Sequence, residues 1–214
     1  MSEDLLQRPH VWQPGTSAPP LLLLHGTGGD EYDLLVLRQY LAPDAPVLSP
    51  RGTVSEEGMA RFFRRHREGV FDEDDLRLRA DELAAFLTAA EQKYDVRAGS
   101  WVAVGFSNGA NMASALLLRH PESLAGAVLL AAMVPFAADE PADDALAGKR
   151  VLIVNGDTDP MATAEQTTRL TAQLRRRAAD VDLLPFAGGH TIDPAQLPRI
   201  KQFVDTFTPR PDSP

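Results

Sequence analysis

The feature that most constrains this chain is the join at residues 101–119. An apolar run, Trp101 to Gly105, passes into Gly105-Phe106-Ser107-Asn108-Gly109, and an alanine-rich helical pattern, Asn108 to Arg119, follows without a linker. A strand that becomes a helix within one or two residues forces a sharp, strained bend. Glycines on both sides keep side chains from colliding with the adjoining strand and helix. This is the setting that a serine nucleophile on a strand-to-helix turn requires. The turn lifts the Ser107 hydroxyl above the sheet edge, at a helix N-terminus whose positive end favours developing negative charge. A glycine-rich turn carrying a solvated serine is the plainer alternative, because the five-residue pattern alone recurs by chance. The flanking strand and helix favour the nucleophile.

The rest of the chain repeats the same alternation. Strands are expected at Leu21–Leu24, Pro46–Ser49, Ala125–Ala132, Arg150–Asn155 and Val181–Phe186. Helical spacing covers 33–41, 75–94, 163–178 and 194–207. An extended segment at His10–Gln13 is expected to pair with Leu21–Leu24 as a hairpin through Pro14-Gly15. Strands separated by helices predict an α/β fold with a mostly parallel sheet flanked by helices. No linker divides the 214 residues, so one domain over 1–214 is expected, with flexible ends at 1–8 and 208–214.

Composition narrows the function classes. Acidic residues outnumber basic ones, 30 to 21, for a net charge of -9, which argues against nucleic acid as a partner. The absence of cysteine removes a disulfide framework, a thiolate metal site and a cysteine nucleophile. The acidic start, Met1-Ser2-Glu3-Asp4, is unlike a secretory signal, and no run approaches the length of a membrane span. A cytoplasmic protein without membrane insertion is the expectation.

Three further loops gather around Ser107 in the reading. His25-Gly26-Thr27-Gly28-Gly29 ends an apolar strand, and the Thr27 amide is a candidate oxyanion donor beside the amide of Asn108. An ordinary glycine turn and a phosphate loop are the alternatives, the latter lacking the Gly-Lys-Ser/Thr ending. His25 reads as structural. Asn155-Gly156-Asp157-Thr158-Asp159-Pro160 follows another strand and offers two carboxylates. Asp159 is preferred because the loop must travel past the sheet edge to meet a histidine. Asp157, nearer the strand, is suited to an Asx-turn. Gly188-Gly189-His190 supplies the only histidine after that acid. In this reading His190 takes the Ser107 proton, Asp159 orients the imidazole, and the two amides hold the oxyanion. The chemistry calls for no metal and no organic cofactor.

With these motifs in hand, the chain resembles the phospholipase/carboxylesterase family of α/β-hydrolases from Leu21 to Phe207. Ser49-Pro50-Arg51-Gly52 and Arg61-Phe62-Phe63-Arg64-Arg65 complete the set of matching motifs. The resemblance implies catalytic Ser107, Asp159 and His190, oxyanion amides on Thr27 and Asn108, and a small-molecule ester substrate. Thioesters and lysophospholipids are alternatives on the same triad, as is a non-catalytic binding protein of the same fold. The family often dimerises, so a homodimer is a further expectation. Two departures stand out. Asn108 replaces the Gln usual in the thioesterase branch, which leans toward the bacterial carboxylesterases. Met161-Ala162-Thr163 replaces the usual continuation of the acid loop, which bears on the acyl pocket. The stretch Met133–Lys149 is too short for a cap domain, so an open site with a small flap is expected. Phe63, Met133, Phe136 and Met161 are the candidate substrate contacts. The arginines of 61–67 are expected to face solvent or acidic neighbours, or to meet an anionic substrate group.

Overall fold

Leu21–Leu24 shows why the chain folds as it does. All four leucines are buried, yet alternate side chains point to opposite faces of a sheet. Leu22 and Leu24 join one apolar cluster, Leu21 and Leu23 the other. A strand buried on both faces belongs inside a parallel sheet covered by helices. The computed structural model describes residues 5–16, 19–138 and 141–207.

The main sheet has seven strands. They are β1 (His10–Gln13), β2 (Leu21–Leu24), β3 (Val47–Pro50), β8 (Trp101–Phe106), β9 (Leu124–Leu130), β10 (Arg150–Val154) and β11 (Asp180–Leu183), in the order β1-β3-β2-β8-β9-β10-β11. Only the β1–β3 pair is antiparallel. The helices are α1 (Leu37–Leu41), α2 (Glu73–Tyr94), α3 (Asn108–Arg119), α4 (Ala164–Arg176) and α5 (Leu197–Asp205). α2, α3 and α4 cover one face of the sheet, and α1 and α5 cover the other. Asp72 caps α2 by accepting the Asp75 N–H at 3.1 Å, which accounts for the acids that precede that helix.

The expected mostly parallel α/β sheet is what forms, with local corrections. β1 does not make a hairpin with β2. It pairs with β3, His10 opposite Pro50 and Gln13 opposite Val47. Gly15 is not there to close a hairpin. A Cβ on it would sit 2.2 Å from Pro46 N and 2.3 Å from the Ala45 carbonyl carbon, so the glycine permits the 14–16 segment to press against 44–46. The helical pattern expected from Asp33 is turns until Leu37, and that expected from Pro194 begins as a short 3-10 segment, Pro194–Gln196. Leu6 packs on the core and Arg8 lies over the Phe86 ring, so the chain is anchored from these residues onward. The expectations for 1–4 and 208–214 fall outside the described residues.

Two small hairpins stand above the sheet: β4 (Val54–Glu56) with β5 (Met59–Arg61), and β6 (Arg65–Arg67) with β7 (Val70–Phe71). Between Met133 and Lys149 the described residues form only turns and bends. Among the described residues, no helix is long and apolar enough to cross a membrane.

Candidate active site

β8 delivers Ser107 to the middle of the sheet's upper edge. Ser107 has φ 51° and ψ -112°, a conformation that a non-glycine residue adopts only when its surroundings compel it. The compulsion is visible. Its N–H donates to Leu130 O at 2.8 Å, and its carbonyl accepts from Asn111 N at 3.0 Å as α3 begins. The flanking glycines are required by contact. A Cβ on Gly105 would lie 2.5 Å from Gly109 O, and one on Gly109 would lie 2.0 Å from Leu24 O.

Two loops from neighbouring strands converge on the hydroxyl. The loop after β10 carries Asp159, whose carboxylate is fully buried. Its Oδ1 accepts the N–H groups of Met161 at 2.8 Å and Ala162 at 3.0 Å, and its Oδ2 lies 2.7 Å from His190 Nδ1. The loop after β11 carries His190, whose Nε2 lies 2.8 Å from Ser107 Oγ. The two glycine-bearing loops brace each other: Thr158 N donates to Gly188 O at 3.0 Å, and Gly188 N donates to Asp157 Oδ1 at 3.1 Å. Asp157 therefore ties down the histidine loop, and the carboxylate that meets the imidazole is that of Asp159.

The loop after β2 brings Thr27 to the same edge. Among the described residues, neither the Thr27 nor the Asn108 backbone N–H has an acceptor. Unpaired donors at the N-terminus of α3 suit an incoming anion. His25 is buried behind them. Its Nδ1 lies 2.6 Å from Gly26 O and its Nε2 accepts Gly52 N–H at 2.9 Å, which fixes a neutral ring with the proton on Nδ1. Burial lowers its pKa, against the raising influence of the Gly26 carbonyl and nearby acids.

This architecture has known counterparts. Residues 10–208 match the phospholipase/carboxylesterase family model. The chain belongs to this family. A Bacillus subtilis (strain 168) protein, MhqD, named as a hydrolase, is 45% identical over 183 residues, spanning 86% of this chain and 90% of that one. The Bacillus cereus carboxylesterase structure superposes with a TM-score of 0.90 at 42% identity, covering 94% of this chain and 95% of the other. A Mesorhizobium loti carboxylesterase superposes at 0.83 with 32% identity, covering 89% and 90%. The fold is that of the α/β-hydrolases.

Within this phospholipase/carboxylesterase frame, the expected pocket residues separate. Phe63 and Phe136 are core side chains, 0% and 1% exposed, and present no surface to a ligand. Phe63 meets Phe71 edge-on, and the Arg77 guanidinium lies 4.1 Å from the centre of the Phe136 ring. Their places in the basic segment and in the connection after β9 suggested substrate contacts. Both rings instead lie in the core cluster. Met161 is half-buried beside Asp159, and Met133 keeps a small exposed edge. Met133 Cε also approaches Gly69 in the second hairpin, within 4.0 Å of where a Cβ there would stand.

Several residues that shape the site carried no sequence signal. Met59, at the tip of the first hairpin, lies over Gly28. Asn111 accepts the Met133 N–H at 2.8 Å, and Asn155 pairs with both the N–H and the carbonyl of Ala132, at 2.9 and 3.1 Å. These two amide side chains hold the turn after β9, where Ala131 has φ 53°. In the basic segment, Arg65 meets Glu56 at 2.7 Å, while Arg64 and Arg67 are exposed. Arg61 alone is buried. Among the described residues, no three His, Asp or Glu side chains gather as metal ligands would.

Proposed function

We propose that this chain is a serine hydrolase that cleaves carboxylic esters of small or medium acyl chain through an acyl-enzyme on Ser107. The observation that carries this reading is the unbroken relay from Asp159 through His190 to Ser107, at 2.7 and 2.8 Å, beside two backbone amides without acceptors among the described residues. The names of the Bacillus cereus and Mesorhizobium loti relatives support the choice of carboxylic esters.

The chemistry follows from the proton positions. Asp159 accepts the Nδ1–H of neutral His190, which leaves the Nε2 lone pair facing the Ser107 hydroxyl. As Oγ attacks the ester carbonyl carbon, Nε2 takes its proton. The buried carboxylate then stabilises the imidazolium without itself being protonated. The carbonyl oxygen becomes an oxyanion between the Thr27 and Asn108 amides, each such donor contributing about 3–4 kcal/mol to lowering the barrier. On collapse, His190 hands its proton to the leaving alkoxide. A water molecule then attacks the acyl-enzyme, with His190 again as base, and releases the acid. Met161 and Met133 are the side chains we place against the acyl group.

A fluorophosphonate probe tests the nucleophile: the native chain should label and Ser107→Ala should not. A label that survives Ser107→Ala, or a native chain that stays unlabelled, overturns the reading. Rates over a series of nitrophenyl esters of increasing acyl length, with a thioester and a lysophospholipid alongside, then define the substrate.

A further inference from the structure

We propose that the segment Ala60-Arg61-Phe62 is the spacer that sets the separation of the two oxyanion-binding amides, with Arg61 as a positioning residue. The inference rests on the proposed roles of Ser107, Thr27 and Asn108. Three consecutive residues make three bonds to two different loops. Ala60 O accepts the Gly28 N–H at 2.9 Å. Arg61 Nη1 donates to Thr27 Oγ1 at 2.7 Å. Phe62 N donates to Asn108 Oδ1 at 2.7 Å. One donor loop is therefore held by the first two residues, and the other donor's own side chain by the third.

The loop needs this help. Thr27 is exposed and stands between Gly26 and Gly28, the latter at φ 81°, so its backbone has little intrinsic order. Its hydroxyl is the one side-chain handle it offers, and that handle is taken by Arg61. The guanidinium is itself fixed. It is 3% exposed, its Nε donates to Phe63 O at 3.1 Å, and it lies 3.3 Å from Glu56 Oε2. Glu56 also binds Arg65 at 2.7 Å, so one carboxylate anchors two arginines across the hairpin. A cation withdrawn from water and shared among one carboxylate, one backbone carbonyl and an exposed threonine is costly as a stabilising device for the fold. It makes sense as a fixed post for a flexible loop whose amide must lie about 2.7–3.1 Å from an oxyanion.

The test uses the exposed partner, which can be changed without opening a cavity. Thr27→Val keeps the backbone amide and the shape but removes the acceptor. With a nitrophenyl ester, kcat should fall roughly tenfold, short of the 10²–10³ expected for deleting a donor outright. KM should stay within about twofold, because the bond acts on the transition state. Affinity for a trifluoromethyl alkyl ketone, whose serine adduct places an oxyanion in the same hole, should fall by the same factor as kcat. Thr27→Ser should restore both. Arg61→Met should lose at least as much, and adding Thr27→Val to it should cost nothing more, since both remove one bond. If Arg61→Met does not fold, the threonine pair decides alone. The proposal is overturned if Thr27→Val leaves kcat and ketone affinity unchanged, or if it raises KM alone. Ser107-dependent fluorophosphonate labelling of the native chain is recorded first. Its absence removes the serine-hydrolase reading and this proposal with it. Its presence alongside an unaffected Thr27→Val removes the spacer alone.

Discussion

Replacing Asp159 by asparagine should cost far more than the loss of one charge, and the structure says why. Oδ1 of Asp159 is held by two backbone donors, Met161 N and Ala162 N, while Oδ2 faces His190 Nδ1 at 2.7 Å. An asparagine side chain keeps its oxygen on the two donors and so turns its NH2 toward Nδ1. Nδ1 must then accept, and the ring proton moves to Nε2. There it points at Ser107 Oγ, 2.8 Å away, and the base has no lone pair with which to take the hydroxyl proton. The electrostatic part alone is large. A carboxylate and an imidazolium about 4 Å apart attract by about 4 kcal/mol at an effective dielectric constant near 20. That is roughly a thousandfold in rate, and the wrong tautomer takes the loss toward 10⁴. Asp157→Asn keeps an oxygen for the Gly188 N–H at an exposed position, so its loss should be no more than about threefold. The assay is kcat/KM for nitrophenyl acetate, with thermal melts to show that both variants are folded. An Asp159→Asn enzyme within tenfold of the native one, or a larger loss for Asp157→Asn, refutes the reasoning.

Three further outcomes are expected. Gly109→Ala would set a Cβ 2.0 Å from Leu24 O, backbone against backbone, and should lower the melting temperature by about 6–12 °C for roughly 3 kcal/mol of overpacking. Asn155→Leu strips Ala132 of both its side-chain partners and Thr167 Oγ1 of a donor at 2.8 Å. It should cost about 2–3 kcal/mol in urea unfolding and slow ester hydrolysis by loosening the Met133 turn. His25 carries a pKa lowered by burial, so its neutral form stabilises the fold above its ordinary value of 6.5 and that contribution is lost as pH falls below it. Melts of the native chain should therefore drop more steeply between pH 6.5 and 5 than those of His25→Asn, and parallel curves would contradict this.

What could be read from the chain is whatever its local geometry dictates. The Ser107 turn was legible because a strand cannot enter a helix that abruptly without glycines, and Gly105 and Gly109 prove to have no room for a Cβ. His190 was legible by order alone. Asp157 and Asp159 were harder to separate, because two carboxylates two residues apart differ only in which amides they find, and Met161 N and Ala162 N are contacts no spacing announces. The pocket was legible only in part: Met133 and Met161 keep exposed edges, while Phe63 and Phe136 do not. Phe63, from a basic segment with paired phenylalanines, and Phe136, from the connection after β9, were expected against the substrate, yet both are buried, Phe63 against Phe71 and Phe136 under the Arg77 guanidinium. The same is true of Arg61. In sequence it is one arginine among several in a basic run, and such runs mostly face solvent. Its burial follows from Glu56, five residues earlier, and from Thr27, thirty-four residues away. A positive charge withdrawn from water needs a partner that compensates it. The partners found here are a hairpin carboxylate, the Phe63 carbonyl and the hydroxyl of a glycine-flanked loop. The residue that composition makes least informative is thus the one whose placement ties the hairpins to the loop carrying Thr27, one of the two amides proposed to hold the oxyanion.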